Sequence, residues 1–347
     1  MHLDLALLGF GTVGQELARM LLGKRDELER DYGLTWRVVG ISARSKGIAL
    51  DPDGLDVRAA LDAVRGGGTL AHLHEGPPLQ DSSAFVEVCP ANLFFEATTL
   101  NHEDGQPATD YVRAALGKGA HVVSANKGPV AFAYHDLQAL AREKRVGFFF
   151  ESAVMDAAPV LSVGREGMPA ADIRRVRGIL NGTTNYVLTR MEEDRLGLAE
   201  AVKEAQEMGI AEADPSLDID GWDAAMKLVI LANVLMGADL HPQDLQPIGI
   251  REVTADDVHA ALAEGERIRL VCEVARDDSG AVQASIRPQR VPLHDPLASV
   301  MGTGALVEFE ADAMRRLTLI QHDPLPDETA YGMLVDMINI VRGRHLA

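Results

Sequence analysis

The chain has 347 residues, 47% hydrophobic and 24% charged, an ordinary globular composition with length enough for two domains. Its net charge of −19, from 33 basic against 52 acidic residues, argues against a general nucleic-acid or acidic-membrane partner, so an anionic ligand needs a local site. Two cysteines, Cys89 and Cys272, give no disulfide framework and fit a reducing cytoplasm, and no run approaches the roughly 18 apolar residues of a membrane span. The opening MHLDLALLGFGTVG lacks a basic leader region and its apolar run ends at glycines, so it reads as structure rather than as a signal peptide.

Leu3 to Leu8 is a short apolar run, a buried strand by pattern, and it feeds Gly9-Phe10-Gly11-Thr12-Val13-Gly14 and then a helical pattern from Gln15 to about Asp31. Strand, G-x-G-x-x-G and helix in this order predict a dinucleotide site. The glycines give the turn, the close approach of a pyrophosphate and the helix–strand packing, and the phosphates sit on the helix N-terminus. The competing reading is a glycine-rich turn in an unrelated α/β protein.

The second strand is Arg37 to Ile41, followed by Ser42-Ala43-Arg44-Ser45-Lys46. A site that prefers NAD usually has an acidic residue here for the ribose 2′-OH. Arg44, Lys46 and small hydroxyls suit a 2′-phosphate better, which favours NADP over NAD; the bland reading is an ordinary basic loop. Residues 51–58 form a turn and a helix start, and GGGT at 66–69 and EGPP at 75–78 mark exposed loops. NLFFEATT at 92–99 is a further buried strand whose end places Thr98 and Thr99 near the cofactor. After a helix from about Thr109 to Leu116, the strand His121 to Val123 ends in Ser124-Ala125-Asn126-Lys127, which points Lys127 at the same crevice unless it is a plain loop lysine. A helix from about Tyr134 to Lys144 and a strand from Gly147 to Phe150 complete a βα array of about 150 residues.

The small residues of ESAVMDAAPV at 151–160 read as a tight connection between lobes, in which Glu151 is either a cation ligand or an ion-pair partner. Alternation from Ile173 to Leu180 predicts a half-exposed strand, and Asn181-Gly182-Thr183-Thr184-Asn185 opens a helix that runs to about Glu193. The N–H groups of its first turn can receive a substrate carboxylate, although a plain Asn or Thr cap is commoner. A helix from Leu198 to Met208 ends at Gly209. GIAEADPSLDIDGWDAAMK then packs Glu212, Asp214, Asp218, Asp220 and Asp223 ahead of Lys227, on a helix predicted from Ala224 to Met236 and stopped by Gly237. Asp223 and Lys227 share a face at i,i+4, with Ile230, Leu231 and Val234 beyond them. An ammonium between carboxylates and an apolar wall suits acid–base work, but a lysine snorkelling from a buried helix fits this stretch equally well. Strands around 269–274, 282–286, 305–310 and 317–320 predict an open sheet with an apolar surface for a second subunit. A last helix from about Glu328 to Arg342, apolar along Tyr331, Leu334, Val335, Ile338 and Val341, packs back on the first domain. The fold class is thus α/β: an N-terminal Rossmann-type parallel sheet (1–150 plus 326–347) and a C-terminal α+β catalytic and dimerisation domain (151–325).

GFGTVG, HVVSANKGP, GILNGTTNYVL and EADPSLDIDGWDAAMKL occur here in the order and spacing of one family, and the chain resembles a homoserine dehydrogenase of the short monofunctional kind over nearly its whole length. The resemblance implies NADPH- or NADH-dependent reduction of L-aspartate 4-semialdehyde to L-homoserine, on the route to threonine and methionine. It also implies a cytoplasmic homodimer without an ACT regulatory domain or a kinase. The family's acid–base lysine falls on Lys227, and the lysine of its ANK motif, a cofactor and substrate contact, on Lys127. Glu212, Asp218 and Asp223 fall on substrate-holding carboxylates, with Thr183 beside them and Gly209 counted with the cofactor. Backbone carbonyls of Glu151, Val154, Asp156 and Ala158 match a sodium or other monovalent-cation segment. Two departures stand out: VMDAAPV carries less glycine than that segment usually does, and 322–330 lacks the glycine-rich turn usual before the last helix.

Reduction of an aldehyde by hydride needs a donor for the developing oxyanion, which suits Lys227, and the substrate ammonium needs acceptors, which Glu212 and Asp218 offer; Asp223 orients Lys227. Asp214 and Asp220 are read as capping and turning residues. A different Rossmann reductase needs another catalytic set. A semialdehyde dehydrogenase needs an activated cysteine, for which Cys89 and Cys272 are poorly placed, and a nonenzymatic NADP sensor has only the altered 322–330 stretch in its favour.

Overall fold

A computed structural model describes residues 1–277 and 279–344, and the chain divides into two compact units, Met1–Ala157 with Leu325–Ala347, and Ala158–Pro324. The first unit begins with β1 (His2–Leu8) and α1 (Thr12–Gly23). Where the pattern predicts one helix to Asp31, the backbone leaves the helical region at Lys24, beside the permissive Gly23, and restarts as α2 (Arg25–Tyr32). There follow β2 (Thr35–Ala43), β3 (Gly47–Leu50), α3 (Val57–Arg65), α4 (Ser82–Val88) and β4 (Leu93–Glu96). Next come α5 (Ala108–Gly117), β5 (His121–Ser124), α6 (Lys127–Lys144), β6 (Phe148–Phe149) and α7 (Ser152–Met155).

These strands form one sheet in the order β3-β2-β1-β4-β5-β6, parallel except for β3, which folds back antiparallel on β2. That pairing extends β2 beyond its predicted end and turns 44–46 into a hairpin tip. Leu5, Leu7, Leu93 and Phe95 are buried, as a parallel sheet covered on both faces requires. The strand order reverses between β1 and β4, so a crevice opens at their carboxyl ends. Lys127 is not in a loop. It is the first residue of α6, which Asn126 caps by accepting from the Gly128 N–H at 3.0 Å.

The second unit holds α8 (Val160–Ser162), β7 (Ile173–Ile179), α9 (Gly182–Glu193), α10 (Leu198–Glu207), α11 (Ser216–Ile219) and α12 (Trp222–Met236). These are followed by α13 (Ala255–Ala263), β8 (Glu266–Arg276), β9 (Val282–Pro292), β10 (Ala305–Ala311) and β11 (Arg316–Gln321). The sheet runs β11-β10-β7-β8-β9 with antiparallel pairing throughout. One face, with Val176, Cys272, Val274, Ile286, Val307 and Phe309, is buried in the layer of α9, α12 and α13. The other face is apolar only where Leu297, Ala298 and Val300 pack on Ile179, Val271, Val291 and Leu306. Its remainder departs from the expected apolar surface. Arg177 bridges Glu308 at 2.7 Å and Asp295 at 2.9 Å, and Arg175 meets Glu273 at 2.5 Å. Alternation alone marks a half-exposed strand but does not say that facing strands supply opposite charges.

The last element, α14 (Pro326–Val341), belongs to the first unit and packs on α1, α7 and β5. Its buried face is Met333, Leu334, Met337 and Ile340, while Tyr331 of the predicted face is exposed. The rotation follows from contacts with α7. The Asp336 carboxylate accepts from the Glu151 N–H at 2.9 Å, and the Ser152 hydroxyl donates to the Thr329 carbonyl at 2.8 Å. A Cβ on Gly332 would stand 2.3 Å from the Ser152 Oγ, so only glycine lets the two helices approach this closely. Replacing Arg177 with leucine strands the buried Glu308 carboxylate. We expect that variant to lose about 3 kcal/mol in urea unfolding; a loss below about 1 kcal/mol would show that the ion pairs do not hold this face.

Candidate functional site

The first unit carries a cavity of about 590 Å3 at the carboxyl ends of β1, β2 and β4. Gly9, Phe10, Gly11, Arg44, Lys46, Thr98 and Thr99 all line it. Gly9 has φ +92°, and a Cβ there would lie 2.2 Å from the Ala97 carbonyl oxygen; a Cβ on Gly14 would lie equally close to the Gly9 carbonyl oxygen. The glycines therefore set the turn tightly against the exit of β4. No side chain caps α1 at Gly11, which leaves first-turn N–H groups for an anion. Thr12, Val13 and Gly14 belong to that turn and form no part of the cavity wall. Arg44 is exposed and Lys46 half-buried at the β2–β3 tip, as a polyanionic end of a ligand needs. This donor set fits a dinucleotide phosphate.

Several residues around this crevice escape the motif. Gln15, Ser42, Leu79 to Ser82, Pro107 and Tyr111 also line the cavity. Ser82 opens α4, with Asp81 as its cap, and the Ser42 and Ser82 hydroxyls lie 2.9 Å apart. The signal was present as Asp81-Ser82-Ser83 ahead of an apolar run. Glu96, the one charge in LFFE, is fully buried at the end of β4. Its Oε1 accepts from the Thr98 N–H at 2.9 Å, the Thr98 hydroxyl at 2.5 Å and the Asn126 amide at 3.3 Å, and its Oε2 from the Ser124 hydroxyl at 2.7 Å. Ser124 and Asn126 thus join Thr98 through a carboxylate rather than by lining the cavity themselves.

In the segment 151–158, Asp156 has φ +49°, the conformation for which glycine is the usual choice, and its carboxylate accepts from the Thr329 hydroxyl at 2.7 Å. The Glu151 carbonyl accepts a long 3.5 Å bond from the Val154 N–H, and the Ala158 carbonyl accepts from Val160 at 2.7 Å. A carbonyl oxygen has two lone pairs, and backbone oxygen is what this segment would offer a cation. Among the described residues no group of three or more His, Cys, Asp or Glu is placed to hold a metal.

The second unit gathers the lysine and most of the carboxylates. Asn181 caps α9, its Oδ1 accepting from the Thr184 N–H at 2.8 Å and the Thr184 hydroxyl at 2.9 Å. Its amide donates to Asp218 Oδ1 at 2.7 Å and to Asp223 Oδ2 at 2.9 Å. Lys227 Nζ sits 3.2 Å from the same Asp223 oxygen and donates to the Leu180 carbonyl at 2.8 Å. These acceptors suit a charged ammonium. The side chains of Lys227 and Asp223 retain 18% and 16% exposure, so the pair is reachable from outside. Burial pushes the Asp218 carboxyl above its ordinary range, the charge of Asp223 adds to this, and Asn181, Lys227 and Thr183 pull the other way. Thr183 also donates to the Ile210 carbonyl at 3.3 Å. Among the described residues Glu212 is exposed and its carboxylate makes no hydrogen bond with this cluster; its carbonyl accepts from the Gln206 amide at 3.1 Å, and Gly209 lies at φ +73° on the turn before it. Asp214 turns the chain as expected, accepting from the Ser216 N–H and hydroxyl, whereas Asp220 instead forms a two-bond pair with Arg251 at 2.8 Å. Cys89 and Cys272 are buried, with thiols pushed up to about 11 and about 12, so neither is an activated nucleophile.

A family model described as "Homoserine dehydrogenase, NAD binding domain" matches residues 9–151, and one described as "Homoserine dehydrogenase" matches 159–338. The chain is similar to an NAD(+)-dependent homoserine dehydrogenase of Pseudomonas canavaninivorans, 37% identical over 97% of this chain and 95% of the relative. It is also similar to a homoserine dehydrogenase of Methanocaldococcus jannaschii, 36% identical over 97% of this chain and 98% of that one. Among solved structures, a hyperthermophilic archaeal homoserine dehydrogenase in complex with NADPH superposes with a TM-score of 0.82 at 30% identity, covering 99% of this chain and 98% of the other.

The raised Asp218 pKa makes its charge a cost in the folded protein. That cost is full above the raised pKa and disappears as pH falls below the ordinary value of 3.8. Asp218→Asn is therefore expected to melt a few degrees above the wild type at pH 7, with the gap closing towards pH 4. A lower Tm at pH 7 would contradict this reading.

Proposed function

The chain belongs to the homoserine dehydrogenase family, and we propose the following division of labour in the NAD(P)-dependent interconversion of L-aspartate 4-semialdehyde and L-homoserine. The observation that carries it is the arrangement of Lys227, Asp223, Asn181 and Asp218 around one cap. Bound NAD(P)H supplies a hydride to the aldehyde carbon. Lys227 stabilises the oxygen on which negative charge develops and gives it a proton, and in the reverse direction it takes the alcohol proton back. Asp223 fixes the ammonium through the 3.2 Å pair, and the Leu180 carbonyl fixes it from a second direction. Asp218 and Glu212 take the substrate ammonium, Glu212 from its exposed loop, and Thr183 with the first turn of α9 takes the substrate carboxylate. Lys127, at the first turn of α6, neutralises cofactor or substrate charge. Gly9 to Gly11, Thr98 and Thr99 form the cofactor wall, the first turn of α1 at Thr12 to Gly14 takes the phosphates, and Ser124 and Asn126 brace Thr98 through Glu96.

The finer parts of this reading rest on the same residues. Arg44 and Lys46 on the cavity rim favour NADP over NAD, even though one relative is named NAD(+)-dependent. A sodium ion on the 151–158 carbonyls is part of the proposal, as is a homodimer through the uncovered, charge-paired face of the second sheet. No helix of the described residues is long and apolar enough to cross a membrane, and two buried free thiols suit the cytoplasm. The NADP-sensor alternative has only the 322–330 stretch behind it, and the assembled lysine–carboxylate cluster argues against it.

Absorbance at 340 nm with homoserine tests the set. Lys227→Ala is expected to lower kcat at least about 100-fold while NADPH still binds; near wild-type turnover would remove Lys227 from its role. In the same assay the wild type should show a higher kcat/KM with NADP than with NAD, and the opposite ratio would reassign Arg44 and Lys46. Light scattering at micromolar concentration should give twice the chain mass of 37.4 kDa, and a monomer mass would refute the dimer.

A further inference from the structure

Glu96 is a fully buried carboxylate with a place in the fold that the division of labour above does not use. It stands at the carboxyl end of β4, beside the reversal in strand order, and collects four donors from the exits of β4 and β5. Three of the four bonds converge on Oε1 and the fourth on Oε2, an arrangement of donors that an ionised carboxylate can accept in full. Burial raises the carboxyl above its ordinary range, and the bonds from Thr98, Ser124 and Asn126 offset part of that rise. Neutral donors orient a charge but do not cancel it. The basic side chains of the cavity, Arg44 and Lys46, lie at the β2–β3 tip, on the other side of β1 from Glu96. If they take the ribose phosphate of the adenine half, the second half of a dinucleotide falls on the β4–β5 side. That half is a nicotinamide ring, neutral when reduced and cationic when oxidised.

We propose that the buried Glu96 carboxylate selects between the two redox forms of the cofactor, favouring the cationic oxidised ring over the neutral reduced one. The inference rests on the dinucleotide reading of the crevice. Its chemistry follows from charge alone. When hydride leaves with its electron pair for the aldehyde carbon, the carbonyl π electrons pass to oxygen, the oxygen takes a proton from Lys227, and the ring is left with a positive charge. A fixed negative charge nearby stabilises that ring as the charge forms, without needing to move. Glu96 is thus an electrostatic determinant of cofactor form, and its bonds to Thr98 and Asn126 also position the strand exits.

Glu96→Gln separates these two roles. A glutamine oxygen still accepts from Thr98 and Asn126, and its amide can donate to the Ser124 hydroxyl in place of the bond now running the other way. The variant keeps the joint and loses the charge. Calorimetric titration of the wild type and of Glu96→Gln with NADP+ and NADPH, and with NAD+ and NADH, reads the ratio of the oxidised to the reduced Kd. That ratio is expected to rise at least about threefold in Glu96→Gln, as loss of one nearby charge demands, and to stay within about twofold of the wild type in Glu96→Asp. Glu96→Ser is the second neutral variant if the amide does not fold, with the same expected rise. An unchanged ratio in a folded neutral variant that still binds both forms overturns the inference alone. A wild type that binds neither form of either dinucleotide overturns the crevice reading, and the inference with it.

Discussion

Two like charges, Asp218 and Asp223, are held side by side in the second unit because one carboxamide donates to both. Asn181 is committed three ways: its oxygen caps α9, and its nitrogen bridges α11 and the first turn of α12. Lys227 stands 3.2 Å from Asp223, and its charge also acts on Asp218. Two carboxylates thus share one carboxamide and one ammonium within a single cluster. On the proposed reading, a substrate ammonium joins this cluster, which would select an amino acid over a plain aldehyde. The cap of α9, the two carboxylates and the orientation of Lys227 share one set of hydrogen bonds.

The first unit solves a different problem with backbone. The Gly9 turn presses on the exit of β4 so closely that no side chain fits, and α1 begins without a capping group. Both features leave N–H groups facing a cavity where an anion can replace the missing cap. Glu96 then fastens β4 to β5 from beneath. Glycine clears the approach on one side of the reversal in strand order, and a buried carboxylate sets the charge on the other.

Much of this was legible in the residues. The G-x-G-x-x-G between strand and helix, the apolar parallel strands and the i,i+4 spacing of Asp223 and Lys227 are local patterns, and local patterns survive folding. What stayed hidden depends on partners distant in sequence. Glu96 reads as one stray charge in a strand, because two of its donors, Ser124 and Asn126, come from across a helix. Asp220 resembles its acidic neighbours until Arg251 is seen beside it. The outer face of the second sheet shows alternation in each strand, but its ion pairs join Arg177 to residues more than a hundred positions away. The buried side of α14 departs from its periodicity for a related reason: the helix is apolar nearly all round, and contact with α7 chooses the face.

The return of α14 to the first unit has a consequence for how the polypeptide is made. On a ribosome, β1 to α7 emerge first, yet the helix that covers α1 follows only after all of Ala158–Pro324. At about 5–20 residues per second, the nascent first unit waits on the order of ten seconds or more with an apolar flank uncovered. Leu17 and Leu21 of α1 pack in the same cluster as Met333 and Met337, so that flank belongs to the core. Loss of the C-terminal helix would thus damage the N-terminal nucleotide-binding unit, and a stalled or truncated chain would present this sticky surface to chaperones and proteases.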